Sequence, residues 1–272
     1  MWSPALARGL IRDEAMRSMR YCDGYTDLLG SNDQTPRSLA QRAMRRPAAT
    51  AAYGRVWRSM VVAATRLRGA PIPAERERAA AALRLGGEER VLDVACGSGH
   101  FTGFMAGQLG GGGFVIGVDT SVPMVERAVR DNSCPRAVYM RADALSLPFN
   151  DRAFDVVCCL AGLHHVAEPI AILHEMVRVL SPGGRIAVLT SYGRESILLR
   201  KGVELGATIC GVRVFDRTTI PAFLAAAGLI DIDQQLRGIS QFVSARRPEQ
   251  LTELDHWRTR SAGRWPRRRP TG

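Results

Sequence analysis

The chain has 272 residues and 46% hydrophobic content, enough for one large domain with an appendage and a sizeable core. No apolar run reaches about 18 residues, and charges interrupt the N-terminal segment every few positions, so we expect neither a membrane span nor a signal peptide. The net charge is +11, but residues 86–190 carry 8 Arg against 11 acids, so the basic excess lies in the flanks. This distribution argues against a central nucleic-acid-binding surface.

The first third of the chain gives a weak structural signal. Residues 1–35 are turn-rich and predict no definite element. Apolar residues at helical spacing predict a helix over 37–68, interrupted at Pro47, and a second helix over 74–85. We therefore predict an N-terminal helical extension or lid over residues 1–85.

From residue 90 the pattern changes to alternating strands and helices. Strands are predicted at 90–95, 114–120, 137–144, 154–162 and 185–191, and a closely spaced pair follows within 230–246. Helices are predicted at 100–109, 121–132, 169–180, 195–209 and 218–229.

This alternation predicts an α/β fold with a doubly wound, mostly parallel, seven-stranded sheet of the Rossmann-like type. One of the last two strands must run antiparallel, because the turn between them is too short for a crossover helix. The expected domain spans residues 86–247, and residues 248–272 are interpreted as a basic, disordered tail. A ligand is expected at the carboxyl ends of the strands, after the first strand of this domain.

The glycine-rich turn after that first strand is compatible with two cofactors, a dinucleotide or S-adenosylmethionine. A dinucleotide fingerprint needs a third glycine, but Thr102 stands there after Gly97 and Gly99. Asp93 would also repel a pyrophosphate, whereas it suits S-adenosylmethionine, which carries a positive sulfonium and an ammonium group. Asp119, at the end of the next strand, can accept hydrogen bonds from ribose hydroxyls and suits either cofactor.

Five segments decide between them by resemblance. VLDVACGSG (91–99), FVIGVDTS (114–121), RADALSLPFND (141–151), FDVVCCLAGLHHV (154–166) and LSPGGRIAVLT (180–190) follow one another at matching spacings. Together they resemble the core of class I S-adenosylmethionine-dependent methyltransferases, and the subgroup is similar to the ubiquinone/menaquinone-biosynthesis methyltransferases. Ala95 departs from this pattern, because glycine is commoner at that position of the family.

The resemblance implies which residues bind the cofactor, S-adenosyl-L-methionine. Asp143 and the backbone of Ala144 are expected on the adenine, and Asp119 on the ribose. The full predicted set is Asp93, Ala95, Gly97, Gly99, Asp119, Thr120, Met124, Asp143, Ala144 and Leu160. Asp93 has an alternative role as a structural acid that caps the turn, and Asp143 as a turn or helix cap.

Two further pairs are candidates for the acceptor side. His164 or His165, after the fourth strand of the domain, is predicted to act as a general base or to orient the acceptor, although packing at a loop corner explains either equally well. Tyr53 and Trp57, one helical turn apart, are predicted to form a lid wall, with core packing as the alternative.

The predicted activity is in-line methyl transfer to carbon or oxygen of a small hydrophobic, aromatic or quinone-like acceptor in the cytoplasm. A protein acceptor and a non-catalytic, cofactor-binding regulatory role remain alternatives, since fold does not fix function. Nucleic acid is not expected as the acceptor, because the segment after the fourth strand reads LAGLHH and lacks a Pro-Pro motif. Peripheral membrane contact and the oligomeric state stay open. The six cysteines lack metal-ligand spacings, so we expect buried free thiols and no metal.

Overall fold

A computed structural model of the chain describes residues 9–30, 72–193, 213–237 and 240–249. Its strands are Arg20–Cys22 (β1), Tyr25–Asp27 (β2), Arg90–Val94 (β3), Phe114–Asp119 (β4), Ala137–Arg141 (β5), Phe154–Leu160 (β6), Leu180–Ser191 (β7), Ile230–Arg237 (β8) and Ser240–Arg246 (β9). Its helices are Asp13–Met16 (α1), Ile72–Ala82 (α2), His100–Ala106 (α3), Val122–Asn132 (α4), Pro169–Val179 (α5) and Thr219–Ala226 (α6). Two 3-10 turns, Ala144–Ser146 and Leu163–His165, follow β5 and β6.

The strands form one sheet in the order β1-β2-β5-β4-β3-β6-β7-β9-β8. The strands from β2 to β7 all run parallel, and β9 runs antiparallel to both of its neighbours, β7 and β8. The order reverses at β3, which lies between β4 and β6. The predicted doubly wound sheet, its antiparallel strand and its switch point after β3 are therefore confirmed.

The central strands are apolar on both sides because helices cover both faces of the sheet. In β3, Val91 packs in the cluster with α2 and α3, whereas Leu92 and Val94 pack in the larger cluster with α5 and α6. Helix α5 begins with Pro169, which tolerates the first turn, and buries Ile172, Leu173, Met176 and Val179 along one stripe. This packing fixes the carboxyl ends of the strands relative to one another.

The prediction of seven strands is wrong for the described part of the chain, which contributes nine. The seven expected strands are β3 to β9, and β1 and β2 add a hairpin beside β5. These two strands are only three residues each, too short to show an alternating hydrophobic pattern. Pairing holds them in place, because β2 pairs with β5 and β1 pairs with β2.

Several predictions concern segments outside the described residues. The predicted helices over 37–68 and 195–209 lie there, as do Tyr53, Trp57 and nearly all of the predicted tail. The predicted helix over 74–85 is found as α2. The division into residues 1–85, 86–247 and 248–272 stays a prediction.

Candidate functional site

The turn after β3 joins two neighbouring strand ends. Gly97 and Gly99 both have positive φ angles, 55° and 74°, which glycine adopts without a steric penalty. The backbone N–H of Gly97 donates to one carboxylate oxygen of Asp119 (3.0 Å), and the N–H of Ser121 donates to the other (2.9 Å). Asp119 therefore links the glycine turn to the loop that follows β4, and a carboxylate oxygen can accept more than one hydrogen bond.

The two glycines differ in what surrounds them. A Cβ on Gly99 would lie 2.6 Å from Tyr139 Oη and 2.8 Å from Ala128 Cβ, so the inner side of the turn is filled. A Cβ on Gly97 would meet nothing within 4 Å, so that side is open. Behind the turn, Asn132 Nδ2 donates to the carbonyl of Ser98 (2.7 Å), and Tyr139 Oη donates to the carbonyl of Asn132 (2.8 Å). The turn is rigidly backed and leaves its backbone accessible at Gly97.

A pocket of about 930 Å³, counting space that opens into solvent, lies in front of this turn. It sits at the carboxyl ends of β3, β4, β5 and β6, as expected for an open α/β sheet. Eight of the predicted site residues line it: Ala95, Gly97, Asp119, Thr120, Met124, Asp143, Ala144 and His165.

Asp143 lies at the wall of the pocket just past β5. One of its carboxylate oxygens accepts from the N–H of Leu145 (2.9 Å), so it caps the 3-10 turn that begins at Ala144. A cap uses one oxygen, and the second is left for a ligand. The two roles considered for Asp143, helix cap and ligand contact, are thus compatible.

Asp93 is placed differently from the other predicted cofactor contacts. It is 1% exposed, does not line the pocket, and accepts a hydrogen bond of 2.6 Å from Thr102 in α3. Burial raises the pKa of Asp93 to about 7, against the lowering effect of the Thr102 and Cys158 hydrogen bonds. Its side chain ties β3 to α3 behind the turn, a structural role that differs from the turn cap named as its alternative.

The packing of Thr102 shows how a threonine fits at the position where a dinucleotide fingerprint has its third glycine. A Cβ on Gly117 of β4 would lie 3.0 Å from Thr102 Oγ1, so the absence of a side chain at Gly117 makes room for the threonine. In a dinucleotide fingerprint the third glycine permits close packing of helix and strand. Here Gly117 permits that packing from the strand.

Leu160 and Gly99 do not line the pocket, although both were predicted to contact the cofactor. Leu160 is buried in the core, and the pocket wall at this strand end is formed by the next two residues, Ala161 and Gly162. Ala161 has a φ angle of 68° and Ala95 one of 57°, so two alanines with left-handed backbone line the pocket, one after β6 and one after β3. At Ala95 this is the backbone for which glycine is favoured.

The two adjacent histidines have different surroundings. His165 lines the pocket, whereas His164 is 4% exposed and its Nδ1 lies 3.4 Å from Thr190 Oγ1. Burial lowers the pKa of His165 to about 4, and burial together with the neighbouring His165 lowers that of His164 to about 3. Both imidazoles are therefore neutral near pH 7. Of the two candidates, His165 is the one that lines the pocket.

Sequence reasoning missed a second group of lining residues. Six of them are Ser121, Leu145, Ala161, Val166, Glu168 and Ile172. All follow a strand or begin the next helix, so their position at the carboxyl edge was available from the predicted elements. What the sequence could not give was which side chains of each loop turn inward.

The described residues contain no group of three or more His, Cys, Asp or Glu that could hold a metal ion. Five cysteines, Cys22, Cys96, Cys134, Cys158 and Cys159, are free thiols in this part of the chain. Across the ranges described, no helix combines the length and apolar character needed to cross a membrane.

The charge of the pocket distinguishes the two cofactors. Its described lining contains the carboxylates of Asp119, Asp143 and Glu168 and neither Arg nor Lys. A dianionic pyrophosphate would meet only repulsion from these groups, whereas a sulfonium and an ammonium would be attracted. Together with the accessible backbone at Gly97, these residues fit S-adenosylmethionine and not a dinucleotide.

Residues 92–188 match the family profile described as "Methyltransferase domain". These residues are a methyltransferase domain. The match covers β3 to most of β7, the part of the sheet that builds the pocket. The resemblance expected from the sequence, to class I S-adenosylmethionine-dependent methyltransferases, is confirmed.

Curated relatives extend the similarity. The chain is 28% identical over 177 residues to the demethylmenaquinone methyltransferase of Lactobacillus johnsonii, covering 64% of this chain and 69% of that protein. It is 35% identical over 160 residues to the 2-phytyl-1,4-naphtoquinone methyltransferase of Synechococcus elongatus, covering 56% and 65%. The chain thus spans about two thirds of these two relatives, and 54% of a further demethylmenaquinone methyltransferase, from Lactiplantibacillus plantarum.

The methyltransferase domain also has its fold in common with solved structures. The geranyl diphosphate C-methyltransferase of Streptomyces coelicolor superposes with a TM-score of 0.56, covering 64% of this chain and 76% of that one. At 17% identity this likeness concerns the fold alone.

Proposed function

We propose that this protein is an S-adenosylmethionine-dependent methyltransferase that acts on carbon or oxygen of a small, hydrophobic, quinone-like acceptor. The observation that carries the proposal is an acidic pocket in which Gly97, Asp119, Asp143 and His165 converge and whose described lining contains neither Arg nor Lys. The names of the relatives, which refer to demethylmenaquinone and to a phytyl naphthoquinone, support the choice of acceptor class.

In this proposal the cofactor lies along the carboxyl edge from β5 to β6. Asp119 accepts from the ribose hydroxyls, since the N–H groups of Gly97 and Ser121 already fix its orientation. Asp143 accepts from the adenine amino group with the oxygen that does not cap the 3-10 turn. The open backbone at Gly97 allows close approach of the methionyl end. S-Adenosylmethionine, when bound, supplies the methyl group on a positively charged sulfur.

The acceptor is proposed to lie against His165, Val166 and Ile172, which line the same pocket. The apolar side chains of Val166 and Ile172 suit a flat aromatic ring. The neutral imidazole of His165 can accept a hydrogen bond from an acceptor hydroxyl and orient it. Because alignment alone contributes several kcal/mol to such a displacement, an acceptor that is already nucleophilic needs no strong base.

Binding calorimetry with S-adenosylmethionine, S-adenosylhomocysteine and NAD tests the cofactor. We expect both adenosyl-sulfur ligands to bind and NAD not to bind. Asp119→Asn should weaken binding by about tenfold or more, because each charge-assisted hydrogen bond contributes about 1.5–3 kcal/mol. Asp155→Asn is the matched control, since Asp155 pairs with Arg90 at the amino ends of β3 and β6. Binding of NAD in place of the adenosyl-sulfur ligands would overturn the proposal.

Transfer of a labelled methyl group to freshly reduced 1,4-naphthoquinone tests the acceptor. Label in the organic-extractable product supports the acceptor class. Label in a protein fraction would instead support the protein-methyltransferase alternative. Cofactor binding without label in any acceptor would support the regulatory alternative, since the binding residues alone do not guarantee turnover.

A further inference from the structure

The N-terminal hairpin lies next to the strand ends that build the cofactor pocket. In β2, Asp27 is the partner of Arg141 in β5, and Arg141 is in turn the partner of Asp119 in β4. These three residues therefore lie side by side on adjacent parallel strands. The N–H of Leu28 also donates to the carbonyl of Arg141 (3.0 Å), which extends the pairing past the end of β2.

The guanidinium of Arg141 is bonded to both sides of this junction. Its Nη1 donates to Asp27 Oδ2 (3.0 Å) and to the carbonyl of Gly30 (2.8 Å), both in the N-terminal segment. Its Nε donates to the carbonyl of Thr120 (3.3 Å), which lies in the pocket wall between Asp119 and Ser121. The side chains of Arg141 and Asp27 are 5% and 11% exposed, so this ion pair is almost completely removed from water.

The partner carboxylate is itself held by backbone groups. The N–H groups of Leu29 (2.9 Å) and Gly30 (3.0 Å) donate to the other oxygen of Asp27. Burial raises the pKa of Asp27, but these N–H groups and the guanidinium outweigh it and hold the pKa below its usual range. The hairpin end, Asp27 and Arg141 thus form one hydrogen-bonded unit, and Arg141 Nε links this unit to a loop of the pocket.

We propose that Arg141 and Asp27 are positioning residues, through which the N-terminal hairpin holds the Asp119–Ser121 loop in its cofactor-binding conformation. The proposal rests on the proposed function, because it assigns Asp119 to the ribose. Its physical basis is geometric. A guanidinium donates from a planar fork in fixed directions, so a shift of the hairpin alters the bond from Arg141 to the carbonyl of Thr120. Docking of the hairpin and binding of S-adenosylmethionine are then coupled, and each must stabilise the other.

Calorimetry on two variants tests the coupling. Arg141→Lys keeps the charge but loses the fork, and Asp27→Asn keeps the shape but loses the charge. We expect both to weaken S-adenosylmethionine binding by about fivefold or more, within the usual range of coupling between sites. The KM for the acceptor should stay within twofold and the binding stoichiometry should stay near that of the wild type, whereas a general loss of folding would lower the stoichiometry and the maximal rate. Arg90→Lys is the control, because it alters a bidentate pair with Asp155 at the opposite ends of the strands.

Hydrogen exchange on the unaltered protein gives a second readout that does not depend on the variants folding. Adding S-adenosylmethionine should slow exchange of the amides of Leu28, Leu29 and Gly30, while amides of β8 at the far edge of the sheet should not change. Unchanged exchange at the hairpin, or variants that bind the cofactor as tightly as the wild type, would overturn the coupling. If the wild-type protein itself failed to bind S-adenosylmethionine, the proposed function would fall first and this proposal with it.

Discussion

Ala95 occupies a backbone conformation that an L-residue adopts only at a cost. Its φ angle is 57°, and a left-handed conformation costs a non-glycine residue about 1–2 kcal/mol. Replacing it by glycine removes this strain but adds backbone entropy to the unfolded chain, which costs about 0.5–1 kcal/mol. We expect Ala95→Gly to raise the free energy of unfolding by about 0.5–1 kcal/mol in urea denaturation. Ala142→Gly is the control, because Ala142 is buried and does not have a positive φ angle, and this substitution should destabilise the protein. Equal destabilisation by Ala95→Gly and Ala142→Gly would contradict this account.

His165 leads to a prediction about the pH dependence of methyl transfer. Burial lowers its pKa to about 4, so the neutral form that accepts a hydrogen bond predominates at every pH above that value. The acid side of the kcat/KM profile should therefore stay flat down to about pH 5, below the ordinary histidine value of about 6.5. His165→Ala should reduce kcat by about 10²-fold and leave cofactor binding intact. His174→Ala is the control, because His174 packs against Phe223 outside the pocket. An acid limb near pH 6.5 that disappears in His165→Ala would contradict the lowered pKa.

The individual residues show where sequence reasoning succeeds. Asp119 and Asp143 could be predicted because each ends or follows a strand, and parallel strand ends meet at one edge. The direction of the Asp93 side chain could not be predicted, because β3 is buried on both faces and its hydrophobic pattern does not say which residues face α3. The choice of His165 over His164 depended on a single 3-10 turn, which the sequence does not define.

At the scale of one element, the turn between β3 and α3 combines two glycines with separable roles. Gly99→Ala would place a Cβ 2.6 Å from Tyr139 Oη at a φ angle of 74°, so strain and overpacking together should cost about 2–4 kcal/mol of unfolding free energy. Gly97→Ala meets open space and should cost about 1 kcal/mol. Its methyl group would occupy the open space at the Gly97 backbone, so S-adenosylmethionine binding should weaken by at least about tenfold. Denaturation and calorimetry on both variants check this, and the opposite ranking in stability would contradict it.

The elements that were predicted and the elements that were missed differ in length and in what stabilises them. Strands β3 to β7 contain apolar runs, and glycine-rich segments precede β3 and β4, so their existence follows from burial in a parallel sheet. The hairpin of β1 and β2 is short, and Tyr21 at its centre is 73% exposed. Its position depends on the Asp27–Arg141 pair, 114 residues apart in the chain, and no local pattern predicts such a contact.

For the whole molecule, the distribution of charge matters more than its sum. The chain carries a net charge of +11, yet the described lining of its pocket contains carboxylates and no basic side chain. A cationic cofactor can therefore be attracted locally by a protein that repels cations at long range. The buried acid behind the pocket, Asp93, is part of the same arrangement, because the charge of Asp119 adds to the burial that raises its pKa.

The pH dependence of global stability should reveal Asp93. Its folded pKa of about 7 lies above its unfolded value of 3.8, so the folded state holds this proton more tightly. Its contribution to stability is then fully present below pH 3.8 and is lost as the pH rises through 7, with a slope of about 1.4 kcal/mol per pH unit between. Asp93→Asn, whose side-chain oxygen can still accept from Thr102, removes that slope. The free energy of unfolding of the variant minus that of the wild type should therefore increase from pH 4 to 7 and level off above.

Asp155 supplies the opposite case for the same measurement. Burial raises the pKa of Asp155, but the hydrogen bonds from Arg90 outweigh this effect and hold the pKa below its usual value. The contribution of Asp155 to stability is therefore present at pH values above the pKa of the unfolded state, and it is lost as the pH falls through the pKa of the folded state. The free energy of unfolding of Asp155→Asn minus that of the wild type should therefore change only at acidic pH, and there it should decrease as the pH rises. The histidines, whose pKa values are lowered, add their own slope below pH 6.5, but they cancel when each variant is compared with the wild type. A difference for Asp93→Asn that does not vary between pH 4 and 7 would mean that Asp93 is ionised throughout. Its hydrogen bond to Thr102 would then be made by a charged carboxylate in the core.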